Sequence, residues 1–271
     1  MIRLIFMAFA IATIGSFSLR SVEVEKKKLK EIELTRIPTT RPTIDSDLLA
    51  IDFCGEVVPL AELRIARRYQ NMIRNYDNAN FRKLMARTEK RMRIIEPILK
   101  KYGVPADFKY IPIIESAMSE EVTSPKGAGG YWQFMPSTAK SLGLVVNDTV
   151  DDRKHLTKST HAAGKYLRQL HKQLGSWTLV AAAYNAGPQH ILNRIDSQNN
   201  EDYFKLKLNS ETTKYIYKLL AVKEWFSNPQ RSREWGSGDV VELLSLIKVD
   251  ESKTNFKSIP SKELVRLYSG S

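Results

Sequence analysis

Apolar residues recur at three- and four-residue intervals over much of this chain, and no long alternating run competes with them, so the sequence predicts packed helices rather than sheets. Leu63, Ala66, Tyr69, Met72, Ile73 and Tyr76 mark one amphipathic helix. After a break at Asp77-Asn78, Phe81, Leu84, Met85, Thr88, Met92, Ile95 and Leu99 mark a second, and the two read as a helical hairpin over residues 59–103. Ala162, Ala163, Tyr166, Leu167, Leu170 and Leu174 predict a third helix, capped by Thr157 or Ser159 and released at Gly175. Ser176 caps a small-residue helix that Gly187-Pro188 stops, and Tyr215, Ile216, Leu219, Leu220, Lys223 and Phe226 predict a last one. The fold class is therefore mainly α.

The flanks read differently. Met1-Ile2-Arg3, an apolar run from Leu4 to Phe17 and then Ser18, Leu19 and Arg20 have the make-up of an export signal, with an uncleaved membrane anchor as the alternative for residues 1–20. Either places the body outside the cytoplasm, in the periplasm or cell envelope. Residues 21–58 carry charge, Pro38 and Pro42 and no helical period, which reads as a linker with a short extended piece near Ile51 to Val58. Residues 228–271 are weakly patterned apart from Val240 to Val249 and read as a tail.

Charge narrows the partners. Lys and Arg exceed Asp and Glu by 42 to 30, a net +12, which calls for an anionic partner. Residues 61–101 hold twelve Lys or Arg against four acids, a net +8, so the basic hairpin carries most of the excess. It suits an anionic wall or membrane surface. No nucleic-acid partner is expected beside an export signal and without a nucleic-acid-binding motif. The lone Cys54 excludes an intramolecular disulfide. His155, His161, His171 and His190 form no close ligand pair and no phosphate-binding glycine motif occurs, so neither a metal nor any other cofactor is expected.

Glu115 is the residue that chemistry has to explain. It follows Phe108, Tyr110, Ile111, Ile113 and Ile114 and precedes Ser116-Ala117-Met118, a carboxyl embedded in an apolar helix. Burial there raises its proton affinity and makes a general acid. The turn from Ser124 to Gly130 is dense in glycine and lets backbone approach a ligand, with Tyr131, Trp132 and Gln133 following as stacking surface and an amide.

Glu115-Ser116, the run from Ser124 through Gly130, Gln133 and Met135 to Ala139, Ala183-Tyr184-Asn185-Ala186-Gly187, and Glu211-Thr212 with Tyr215 occur in an order that resembles the soluble lytic transglycosylase catalytic domain of glycoside hydrolase family 23. Within it the sequence is most similar to the membrane-bound lytic murein transglycosylase D branch. The resemblance covers residues 104–227 and implies a lysozyme-like, goose-type domain. It also implies cleavage of the MurNAc-β-1,4-GlcNAc bond of peptidoglycan glycan strands without water, leaving 1,6-anhydroMurNAc ends. Glu115 would be the single catalytic acid and base, with Ser124, Gly130, Gln133, Met135, Tyr184, Asn185, Glu211 and Tyr215 as substrate-binding positions. Tyr131 departs from the apolar residue usual at its place, residues 151–156 match the branch's loop only in part, and no LysM wall-binding repeat follows residue 228. Asp151 and Asp152 are the alternative second carboxylates of a muramidase-type hydrolase, and a non-catalytic peptidoglycan-binding protein is the remaining alternative.

Overall fold

The computed structural model describes residues 44 and 46–253. The expected leader at 1–20, most of the expected linker and residues 254–271 of the expected tail lie outside the described residues. Among the described residues, eleven helices and one hairpin follow in order. They are α1 (Ser46–Leu49), strands β1 (Asp52–Phe53) and β2 (Glu56–Val57), α2 (Leu63–Tyr76), α3 (Ala79–Lys101), α4 (Ile111–Ser116), α5 (Pro136–Ser141), α6 (Leu156–Leu174), α7 (Trp177–Ala186), α8 (Pro188–Gln198), α9 (Ser210–Ser227), α10 (Pro229–Ser237) and α11 (Asp239–Lys253). Turns of 3-10 helix at Ala106–Tyr110 and Asp152–Lys154 precede α4 and α6.

The axis of the fold is α9, whose Tyr215, Ile216, Tyr217, Leu219, Leu220, Ala221, Val222 and Trp225 are buried around its circumference. A helix apolar on all sides needs neighbours on all sides. It finds them in α2, α7, α10, α4 and the first 3-10 turn. The small residues Ala181, Ala182 and Ala183 let α7 come close to it. Helix α6 lies between α3 and α7.

The helices forecast by periodicity form, but their assembly differs in three places. First, α2 and α3 do not lie along each other as a hairpin. The apolar stripe of α2 packs on α9, α10 and α11, and that of α3 packs on α6 and the first 3-10 turn, so the two part after Asp77-Asn78. Second, α6 is capped by His155, whose Nδ1 accepts the Lys158 N–H, while Ser159 lies inside the helix with its hydroxyl on the His155 carbonyl. Third, the described part of the weakly patterned stretch, residues 229–253, folds as α10 and α11. Trp235 is fully buried, meets Tyr69 edge-on at 5.0 Å and donates from Nε1 to the Leu48 carbonyl at 2.9 Å.

The end of the expected linker is also folded. Asp52 pairs with Val57 and Phe53 with Glu56 around a two-residue turn, and Ile51, Phe53 and Val58 are buried. Cys54 and Gly55 both take positive φ, 56° and 82°, as a type I′ turn requires of its central pair. The Cys54 N–H donates to Asp107 Oδ2 at 2.7 Å, which supports the unusual conformation. Burial pushes the Cys54 thiol far above its usual range.

Candidate active site

Glu115 sits near the end of α4, a helix of six residues whose Ile111, Pro112, Ile113 and Ser116 are buried. The chain leaves α4 through two left-handed residues, Ala117 at φ 48° and Met118 at φ 58°. Their N–H groups bond to the Ile113 and Pro112 carbonyls, which stops the helix just beyond the carboxyl. The Tyr215 hydroxyl donates to Glu115 Oε1 at 2.6 Å. Burial raises the proton affinity of Glu115, opposed by the Tyr215 hydrogen bond and the Lys218 ammonium and assisted by the charge of Glu211. Burial holds the Tyr184 and Tyr215 hydroxyls well above their ordinary range, with the Glu115 charge adding to it. Burial therefore favours the protonated acid, which is flanked by neutral phenols.

Helix α7 delivers the second group. The Tyr184 hydroxyl donates to the Trp132 carbonyl at 2.5 Å, and Asn185 Nδ2 donates to Glu211 Oε1 at 3.2 Å. The Thr212 hydroxyl donates to Asn185 Oδ1 at 3.0 Å, so both ends of that amide join α7 to the start of α9. Asn209 caps α9 by accepting the Thr212 N–H at 2.9 Å.

The glycine-dense turn forms the third side. Ser124 accepts the Gly127 N–H on its carbonyl and the Ala128 N–H on its hydroxyl, at 2.8 and 3.0 Å. Gln133, at φ 48°, donates from Nε2 to the Val122 and Gly130 carbonyls, both at 2.9 Å. Gly130 stands at φ +71°, and a Cβ there would lie 2.1 Å from the Arg153 carbonyl oxygen, so only glycine fits. Met135, at the exit of the turn, is exposed.

The structure thus brings Glu115, Tyr215, Tyr184, Asn185 and Glu211 into one linked cluster. Ser124, Gly130 and Gln133 shape the turn joined to it, and Met135 lies at the surface without a hydrogen bond to the cluster. Two expectations are corrected. Trp132 is fully buried with Nε1 on Thr160 Oγ1 at 3.1 Å, and Tyr131 is buried with its hydroxyl on Glu120 at 2.9 Å. Neither ring offers stacking surface, because the turn folds them into the core.

Sequence reasoning passed over two residues that hold the site. Ser116 is buried and donates to the Pro112 and Tyr131 carbonyls, both at 3.0 Å, which fastens the acid's helix to the glycine turn. Arg153 is nearly buried and donates to the Gly127 and Phe134 carbonyls at 2.7 and 2.9 Å while bridging Asp151 at 2.7 Å. The signal was there in the Glu-Ser pair and the Asp-Asp-Arg run, but only tertiary structure shows what they reach. Asp151 and Asp152 are occupied elsewhere. Arg153 holds the Asp151 carboxyl below its usual range and Lys158, at 2.7 Å, does the same for Asp152. Among the described residues no group of three or more His, Cys, Asp or Glu is placed to hold a metal ion.

Residues 92–207 match the family described as Transglycosylase SLT domain. The chain is 32% identical over 195 residues to the membrane-bound lytic murein transglycosylase D of Escherichia coli (strain K12), covering 69% of this chain and 42% of that protein. It is 27% identical over 140 residues to the membrane-bound lytic murein transglycosylase F of Salmonella typhi, covering 48% of this chain and 28% of that protein. A solved structure of the lytic transglycosylase Slt from Pseudomonas aeruginosa, an inactive mutant, aligns over 64% of this chain and 30% of that one, with 21% identity and a TM-score of 0.43. The chain spans well under two thirds of each of these relatives.

Proposed function

We propose, from the match of residues 92–207 to the transglycosylase SLT domain family, that the protein is a lytic transglycosylase that cleaves the MurNAc-β-1,4-GlcNAc bond of peptidoglycan in the cell envelope. The observation that carries the reading is one carboxyl, Glu115, buried in a mostly apolar setting that raises its proton affinity and accepting a hydrogen bond from the Tyr215 hydroxyl.

Most glycosidases use two carboxyl groups, and substrate-assisted cleavage is an acknowledged exception. Glu115 protonates the glycosidic oxygen as its bond to C1 of MurNAc breaks. The substrate's N-acetyl carbonyl supports the cation that develops at C1. The Glu115 carboxylate then takes the proton of the C6 hydroxyl, whose oxygen closes on C1 to give the 1,6-anhydro ring. The proton lost in the first step returns in the second, and no water is consumed. A carboxyl that must be acid and then base suits a raised proton affinity. The Tyr215 hydroxyl favours the carboxylate midway through the cycle, and the bonds of Tyr184 and Asn185 fix the groove around it. Ser124, Gly130, Gln133 and Met135 would supply the sugar-facing turn, with Glu211 at its far side.

One observation favours a second reading. Glu211 is exposed and its charge reaches Glu115, so a hydrolase that activates water with Glu211 would use the same pair. Glu115→Gln tests the role of the acid under both readings. Clearing of purified sacculi should fall by about 10³-fold or more, toward the upper range for general acid–base groups. Retained activity would remove Glu115 from its role.

The basic helix supports a finer proposal about placement. Lys83, Arg87, Lys90 and Lys101 are exposed along one stripe of α3 with exposed Ile94 among them, while Glu89 and Glu96 are matched by Arg93 and Lys109. We read this stripe as a contact for anionic wall polymer or headgroups, worth about 1 kcal/mol per cation near such a surface. Among the described residues no helix is long and apolar enough to cross a membrane. Cosedimentation with sacculi or anionic vesicles should weaken as salt rises, and binding unchanged by salt would refute the electrostatic contact.

A further inference from the structure

Resting on the transglycosylase reading, we infer that the hairpin Asp52–Val57, upstream of the matched domain, acts as a positioning clip that joins the three elements carrying Glu115, Tyr184 and Tyr215. Its first attachment is Glu56 on β2. One carboxylate oxygen accepts the Trp177 N–H, and the other accepts the Thr178 N–H at 3.0 Å, the Thr178 hydroxyl at 2.8 Å and the Ser176 hydroxyl at 2.9 Å. These backbone donors are the groups that the first turn of α7 leaves without partners, and an anion there also meets the positive end of the helix dipole. Helix α7 is ten residues long, and Tyr184 and Asn185 lie at its other end.

The second attachment is Lys223, two turns along α9 from Tyr215. Its ammonium donates to the Asp52 carbonyl at 2.8 Å and carboxylate at 3.1 Å, and to Asp107 Oδ2 at 2.8 Å. The third is Asp107 itself, in the 3-10 turn that runs directly into α4, which also accepts the Cys54 N–H. Beneath these polar contacts Phe53 meets Phe108 edge-on at 5.3 Å, and Phe108 meets Trp177 at 5.4 Å. The helices that supply the two phenols, and the 3-10 turn that leads into the acid's helix, therefore each have a hold on one six-residue hairpin that itself carries none of the site residues.

The clip acts through geometry. The acid stands on a six-residue helix, and its bond to Tyr215 depends on how α9 and α4 sit together. A misplacement of about 1 Å costs on the order of 10²-fold in rate. Loss of Glu56 frees the start of α7 and one side of the hairpin. The groups facing Glu115 are Tyr184 from α7 and Glu211, Tyr215 and Lys218 from α9, so both helices bear on its titration.

The test uses the full chain with Glu56→Ala and the milder Glu56→Asp, which keeps the charge but falls about 1.5 Å short of the α7 donors. Glu115 is titrated by carbon-13 NMR, and kcat and KM are measured on sacculi. In Glu56→Ala, the Glu115 titration should move down toward an ordinary glutamate, because the site opens to water. The kcat should fall by at least about tenfold with KM nearly unchanged, and Glu56→Asp should shift both in the same direction by less. If Glu56→Ala does not fold, Glu56→Asp decides. A Glu115 titration and kcat equal to wild type, with only a lowered Tm, would overturn the clip. The titration reads the site whether or not the wild type makes anhydro ends, so failure of the functional reading is seen separately in the wild-type products.

Discussion

At the scale of residues, the site works through opposed influences on one carboxyl. Burial drives Glu115 toward its protonated form and the Tyr215 hydroxyl pulls it back. Tyr215→Phe removes that bond, so the Glu115 pKa should rise further. The alkaline limb of the pH–rate profile should then move to higher pH while kcat drops about tenfold, in line with a hydrogen bond to a charged group. A limb that stays or moves down would contradict the assignment of that bond. Stability gives a second check. The folded state binds the Glu115 proton more tightly than the unfolded chain, whose reference value is 4.5, so wild-type stability falls as pH rises from there through the raised folded value. Glu115→Gln lacks this loss. Its Tm should exceed wild type near neutrality and converge below about pH 4, as read by thermal melts across pH. The acid was legible in the sequence because a charged residue interrupts an apolar run. The partners of the Ser116 and Thr212 hydroxyls were not, because they lie on chain segments 15 and 27 residues away.

At the scale of elements, the glycine turn is held from outside by Arg153 as well as by its own residues. Arg153 reaches back to the carbonyls at 127 and 134, and the Arg153 carbonyl occupies the space where a side chain at 130 would stand. Gly130→Ala should cost about 3 kcal/mol from overpacking and a strained φ together, measured by denaturant unfolding. A loss below about 0.5 kcal/mol, the range of neutral surface changes, would show that the turn can move aside. The glycine density announced a close approach, and the structure shows that the approaching group is the protein's own backbone. The helices themselves were readable from their period. The parting of α2 and α3 was not, since a stripe of apolar residues does not say which neighbour will cover it.

At the scale of the whole molecule, the working unit is larger than its recognisable domain. Helix α9 supplies Tyr215 and Glu211 from beyond residue 207 and is held by α2 from before residue 92, with Trp225 Nε1 on the Ile73 carbonyl at 3.1 Å. A fragment of residues 92–207 should show no cooperative melt, whereas residues 44–253 should unfold in one transition. A stable, active 92–207 fragment would contradict this. Linker, hairpin, domain and tail look separate in the sequence because those stretches lack a shared motif. Trp235 on Tyr69 and Glu56 on α7 show the same stretches interlocked, through contacts more than a hundred residues apart that no local pattern records.

On the proposed mechanism one carboxyl, used twice, cleaves the glycan without water. Digestion of sacculi in water enriched in oxygen-18, followed by mass spectrometry of the muropeptides, tests it directly. The expected products are 1,6-anhydroMurNAc ends that carry no heavy oxygen. Reducing MurNAc ends labelled with oxygen-18 would contradict it and assign Glu211 or another base to the activation of water.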